Sequence, residues 1–293
     1  MRRLVELWRR LKDERRRTRK RLPELEAADL VLVSHAKSGR TWLVALISHV
    51  LHLTRGVPVD ELWDGDRFHR LDPAIPKLFT THERNEPEAI RRRLPELVRD
   101  RRLLLLVRDP RDVIVSWYHH HARRSTPRTR ARLGLPLDMD RVDLAAFAAD
   151  PGFGLPSVVA FLERWVAIAR AHPCSLLVRY EDLRARPAAE LGRILAFLGL
   201  EAPPDVLEKA VAFASFDSLK EKERTGFFRT EKLQARDPGD PASFKVRRGK
   251  VGGYRDELPA EVVARLDRLV AERLDPALGY AVPPGASRTA ASM

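Results

Sequence analysis

The chain has 293 residues, 44% hydrophobic and 32% charged, a balance that suits a large folded core and excludes a disordered or fibrous protein. Its 54 Lys and Arg outnumber 41 Asp and Glu, a formal net charge of +13 that steers the surface toward phosphates, nucleic acid, anionic lipid or acidic substrates. One cysteine, Cys174, excludes an intrachain disulfide and a cysteine-built metal cage and fits a reducing compartment, and no apolar run reaches the ~18 residues of a membrane helix.

Residues 1–22, MRRLVELWRRLKDERRRTRKRL, place Leu4, Trp8 and Leu11 at helical spacing among basic side chains. They are read as a basic helical extension, either a solvated cap on the domain or a peripheral contact with an anionic membrane surface. No apolar h-region follows, so no secretory leader is expected and the protein is assigned to the cytoplasm. The folded domain is assigned to residues 23–283, and PGASRTAASM at 284–293 to a flexible tail.

Residues 29–34, DLVLVS, form a short apolar run of buried-strand type, and 41–53 has helical periodicity. Residues 77–82 predict a second strand, 86–98 a helix with charged faces, 102–107 a third strand and 112–121 a helix. Residues 157–171 predict another helix and 175–179 a fourth strand. Two stretches, 123–140 and 224–255, read as long loops of the kind that form lids or binding segments. Strands alternating with helices predict an α/β fold, a single domain with a central parallel sheet and helices on both faces. Ligands in such sheets bind beyond the carboxyl ends of the strands.

The residues just after the first strand are SHAKSGRTWL at 34–43. A strand feeding a glycine turn and then a helix aims backbone N–H groups and a positive helix end at an anion. Gly39 permits close approach, while Lys37, Ser38 and Thr41 add charge and hydroxyl donors. The lysine precedes the glycine, so this is not the triphosphatase loop GxxxxGK[ST]. On chemistry alone the loop is a phosphate binder.

KSGRTW at 37–42 resembles the 5′-phosphosulfate loop PKSGTTW of the cytosolic-type sulfotransferases that use 3′-phosphoadenosine 5′-phosphosulfate (PAPS), with Ala36 for the proline and Arg40 for the first threonine. LLLLVRDPRDVIVSWY at 103–118 is similar to that family's 3′-phosphate segment, with Arg108 and Ser116 eight residues apart. RRGKVGGY at 247–254 resembles the family's RKGxxGDW, Gly253 and Tyr254 standing in for Asp and Trp. YEDL at 180–183 looks like its YED element.

The resemblance implies the P-loop-type α/β fold and an enzyme that moves a sulfuryl group from PAPS to an acceptor hydroxyl or amine, leaving 3′,5′-adenosine bisphosphate. It implies that Lys37 offsets charge on the leaving oxygen, that Ser38 holds this lysine, and that backbone N–H groups of Gly39, Arg40 and Thr41 hold the 5′-phosphate. Arg108, Ser116, Arg247, Arg248 and Gly249 would clamp the 3′-phosphate. Trp42, Phe216 and Tyr180 would surround the adenine. His82, closing FTTH at 79–82 where relatives have KTH, would be the base, since an imidazole titrates near neutral pH. Thr80 stands where relatives carry a second lysine. His119, His120 and His121 are rivals for a place in the acceptor pocket.

No metal is expected, because lysine and arginine supply the positive charge and the histidines lack ligand spacing. The resemblance implies a small-molecule, lipid or carbohydrate acceptor, met by the variable loops 64–72, 123–140 and 224–244. No specific nucleic-acid partner is expected, as no finger, helix-turn-helix or RNA-binding motif is evident. A non-catalytic nucleotide-binding regulator of the same fold and a P-loop-like kinase are the alternatives.

Overall fold

The computed structural model describes residues 2–230, 233–235, 239 and 244–281. The expected tail and parts of the second long loop lie outside the described residues. In chain order the principal elements are helix α1 (Arg2–Glu26), strand β1 (Leu30–Ser34), α2 (Arg40–Arg55), β2 (Leu78–Thr81) and β3 (Arg102–Val107). They continue with α3 (Pro110–Arg123), α4 (Leu155–Ala171), β4 (Ser175–Arg179), α5 (Pro187–Leu198), α6 (Pro204–Phe213), α7 (Phe216–Thr225) and α8 (Ala260–Arg273). The chain divides into two compact units, residues 1–108 with 166–249, and residues 109–165 with 250–293.

The first unit holds the sheet, four parallel strands in the order β2-β1-β3-β4. Val33 of β1 lies opposite Thr81 of β2 and Leu105 of β3, and Leu106 of β3 opposite Val178 of β4. All five residues of β1 are buried, as continuous apolar runs covered on both faces must be. Leu30, Leu32, Leu104, Leu106 and Val178 form one face, and they share a core with Leu43, Leu46 and Ile47 of α2 and Leu191, Ile194 and Leu195 of α5. The chain leaves β1 for β2 on one side and later returns to β3 on the other. That switch opens a crevice beyond the strand ends, where His82, Ser34, Arg108 and Tyr180 follow one another across the sheet.

Helix α1 runs four residues past the expected limit at 22 and is tied to β2. The Arg21 guanidinium donates to the Thr80 carbonyl at 2.8 Å and to Glu86 at 2.7 and 3.1 Å, and it lies 4.0 Å from the Phe79 ring centre. Arg17 donates to the Asn85 carbonyl. Farther out, Trp8 and Leu11 are exposed.

Two expectations are corrected. Residues 86–98 form two separate turns, Glu88–Arg91 and Leu94–Leu97, because Pro95 cannot donate within a continuous helix and instead begins a new one. The loop 123–140 contains a helix, Pro127–Leu133, capped by the Thr126 side chain and closed by Gly134 in the left-handed conformation.

The second unit is organised by buried charge. Arg111 is 2% exposed and donates to both oxygens of Asp109 at 2.9 and 2.7 Å, to Asp267 and to the Tyr280 carbonyl. Such a cation is tolerable only because its donors are met in this way. Asp112, one residue on, accepts from the backbone N–H of Gly252 at 2.8 Å and of Tyr254 at 3.1 Å. It thereby fixes the chain that immediately follows Arg247, Arg248 and Gly249.

Candidate active site

The loop between β1 and α2 owes its shape to two left-handed residues, Lys37 at φ 73° and Gly39 at φ 95°. Ser38 lies between them, its N–H bonded to the His35 carbonyl at 3.3 Å. Gly39 begins α2 with no side-chain cap, so the first N–H groups of the helix are left to an incoming anion. The glycine is required twice over. Its φ disfavours a side chain, and a Cβ would fall 2.5 Å from Cδ2 of Tyr180. Ser38 Oγ is buried with no hydrogen-bond partner, and a buried hydroxyl without a partner is costly unless a ligand supplies one.

Tyr180, the first residue after β4, draws the other strand ends together. The Arg108 guanidinium lies 4.4 Å from its ring centre and donates to the Lys37 carbonyl at 3.2 Å. The Trp42 ring meets it edge-on with centres 5.7 Å apart, and the Trp42 indole N–H is anchored on the Ala214 carbonyl at 2.9 Å. Two residues past Ala214, Phe216 opens α7 behind the Ser215 cap. Its ring packs on Gly249, where a Cβ would approach Cδ2 at 2.8 Å and φ is +60°. Lys37, Gly39, Trp42, Arg108 and Tyr180 are thus one cluster, and Phe216 with Gly249 another. Arg247 is half-buried and Arg248 exposed beside it. Ser116 is half-buried on α3 in the second unit. Thr41 sits in the first turn of α2.

His82 follows β2, beside the end of β1. Its Nδ1 lies 2.8 Å from the Ser34 carbonyl and 3.3 Å from Ser34 Oγ. A carbonyl only accepts, so Nδ1 carries the proton and Nε2 keeps its lone pair. Burial, together with the charge of Arg40 and lesser repulsion from His35 and Lys245, pushes the imidazole well below its ordinary 6.5. His82 is therefore a neutral acceptor of protons at physiological pH. Among the other histidines, His119 is engaged by Glu257, and His121 is buried edge-on to Trp117.

A cavity of about 550 Å³ opens beside His82. Residues that sequence reasoning had not assigned to a site wall it, namely Arg17, Lys20, Arg21 and Glu24 of α1 with Asn85, and they are joined by Asp64 at the start of the expected acceptor loop 64–72. Positions 17, 20, 21 and 24 share one helical face, a signal present in the sequence but indistinct in so basic a segment. Arg40 also lines this cavity. Its guanidinium is carried away from the loop whose backbone it belongs to.

A parallel sheet whose switch point carries an uncapped helix and a lysine loop defines an α/β protein of the phosphate-loop class. Residues 27–276 match the family model of the sulfotransferase domain, and the chain belongs to that family of enzymes. It is 28% identical over 275 residues to cytosolic sulfotransferase 12 of Arabidopsis thaliana, covering 85% of this chain and 78% of that protein. It is 24% identical to sulfotransferase 2A6 of Rattus norvegicus, with 88% and 86% covered. In fold it is similar to mouse sulfotransferase SULT7A1 complexed with PAP, at TM-score 0.59 and 20% identity over 87% of this chain and 90% of that one. It is likewise similar to retinol dehydratase in complex with androsterone and inactive cofactor PAP, at TM-score 0.60 and 17% identity over 84% and 80%.

Proposed function

We propose that this sulfotransferase takes its sulfuryl group from PAPS and delivers it to a hydroxyl or amine of a small-molecule, lipid or carbohydrate acceptor. The observation that carries this reading is His82, held as the Nδ1–H tautomer by the Ser34 carbonyl directly ahead of the lysine loop. A fixed imidazole with an unprotonated Nε2 is what removal of an acceptor proton needs.

When bound, PAPS supplies the sulfuryl group and 3′,5′-adenosine bisphosphate leaves. His82 Nε2 takes the acceptor proton as the new bond forms between sulfur and the acceptor oxygen or nitrogen. Lys37 places its charge against the oxygen that departs with the 5′-phosphate. The N–H groups of Gly39, Arg40 and Thr41 and the buried, unpartnered Ser38 hydroxyl suit that phosphate. Arg108, Arg247 and Arg248 are assigned to the 3′-phosphate, the guanidinium fork matching phosphate geometry. For Ser116 this assignment rests on the resemblance of its segment alone. Trp42, Tyr180 and Phe216 are assigned to the adenine. The reading calls on no metal, the charge being supplied by lysine and arginine.

The names of the relatives called cytosolic sulfotransferases support a cytoplasmic location. Among the described residues no helix is long and apolar enough to cross a membrane. Exposed Trp8 and Leu11 on α1 support a peripheral contact with an anionic membrane.

The test is transfer of labelled sulfur from PAPS to a panel of phenols, alcohols and amines, with His82→Ala as the control. We expect sulfated product in step with released 3′,5′-adenosine bisphosphate. His82→Ala should lose at least ~10³-fold in rate while still binding that nucleotide. A variant keeping most of the rate would remove His82 from the chemistry. Magnesium-dependent phosphate transfer from ATP instead would favour a kinase.

A further inference from the structure

The cavity beside His82 has an unbalanced wall. Arg21 engages two of its three carboxylates, Glu86 at 2.7 Å and Glu24 at 2.9 Å. The third, Asp64, is exposed and acts on Arg40 through its charge. Lys20 and Arg40 make no ion pair among the described residues, and Arg40 Nη1 is buried without any hydrogen-bond partner. A guanidinium carries five donors in a planar fork that fits an oxyanion. Leaving part of that fork dry and unpaired costs more than an exposed arginine would. Burial brings the Arg40 pKa down to about 10, so the group is still charged at neutral pH. It faces the same space as the base and stands at the position of the first threonine in the resembled loop PKSGTTW.

We infer that the acceptor of this enzyme carries an anionic oxyacid group, a carboxylate or phosphate, and that the Arg40 side chain binds it in the cavity beside His82. This rests on the proposed transfer reaction, in which Arg40 otherwise contributes only its backbone. A volume of about 550 Å³ suits a ligand of metabolite size. The acceptor's charge also neutralises the cation that most opposes protonation of His82, so the correct acceptor strengthens the base that deprotonates it. A neutral acceptor of the same shape leaves the guanidinium unsatisfied and is rejected for that reason.

The experiment is calorimetric binding to protein saturated with 3′,5′-adenosine bisphosphate, using 4-hydroxyphenylacetate, 4-hydroxybenzylphosphonate and neutral 4-hydroxyphenylacetamide. At least one anion should bind at least 10-fold more tightly than the amide, about 1.4 kcal/mol, and the stronger of the two identifies carboxylate or phosphate. Arg40→Thr, which removes the guanidinium, should reduce the preference below 2-fold, and Arg40→Lys should keep part of it. Equal binding of anions and amide, or a preference that survives Arg40→Thr, would overturn the inference while leaving PAPS use intact. Failure of wild-type protein to bind 3′,5′-adenosine bisphosphate would instead bring down the donor reading on which it rests.

Discussion

The two sides of the candidate site are built by different means. On the proposed sulfuryl-donor side the shape comes from backbone, with Lys37 and Gly39 in left-handed conformations and Tyr180 and Phe216 lying against glycines that admit no Cβ. On the proposed acceptor side it comes from long charged side chains of α1 and α2 around one imidazole. Backbone geometry tolerates few sequences, so the first side carries motifs. Side-chain charge can be supplied from many positions, so the second carries none beyond the histidine that closes FTTH, and it is there that one enzyme can differ from another in acceptor.

Substitutions on the donor side should produce the largest effects. Gly39→Ala places a methyl group 2.5 Å from Tyr180 at a φ of +95°, and both the strain and the clash fall on the phosphate loop. Affinity for 3′,5′-adenosine bisphosphate should fall by about 10²-fold, near 3 kcal/mol, in a titration followed by calorimetry. Affinity within a few-fold of wild type would show that the loop is not shaped by its backbone.

A smaller effect should separate the acceptor side from it. His82 is held below 6.5 first by burial and then by the Arg40 charge, with His35 and Lys245 adding to it and the Ser34 carbonyl opposing. In the proposed reaction the neutral imidazole is the active form, so kcat/KM should decline on the acid side only below pH 6.5. Arg40→Gln removes a repulsion that disfavours the protonated ring. The acid limb should therefore move up yet stay below 6.5, because burial persists. A limb that stays in place would mean that Arg40 does not act on the base.

The sequence made the sheet legible, since β3 and β4 occupy the residues their apolar runs indicated and β1 and β2 differ from expectation only at their ends. The lysine loop, Arg108, Tyr180 and His82 were legible because each follows a strand directly. What could not be read was long-range. That Ser34 fixes the His82 tautomer depends on β1 pairing with β2. That Arg21 spans Thr80 and Glu86 depends on how α1 docks, and periodicity carries no such information. Pro95 was visible, yet the charged periodicity around it outweighed the break it imposes.

The most direct test of the donor assignment needs no acceptor. Affinities for 3′,5′-adenosine bisphosphate and for 5′-AMP can be compared in wild type and in Arg247→Ala. The account predicts at least ~100-fold preference for the bisphosphate, about 2.7 kcal/mol for the added phosphate, reduced by about 10-fold or more in Arg247→Ala. Equal affinity for the two nucleotides in wild type would contradict the account.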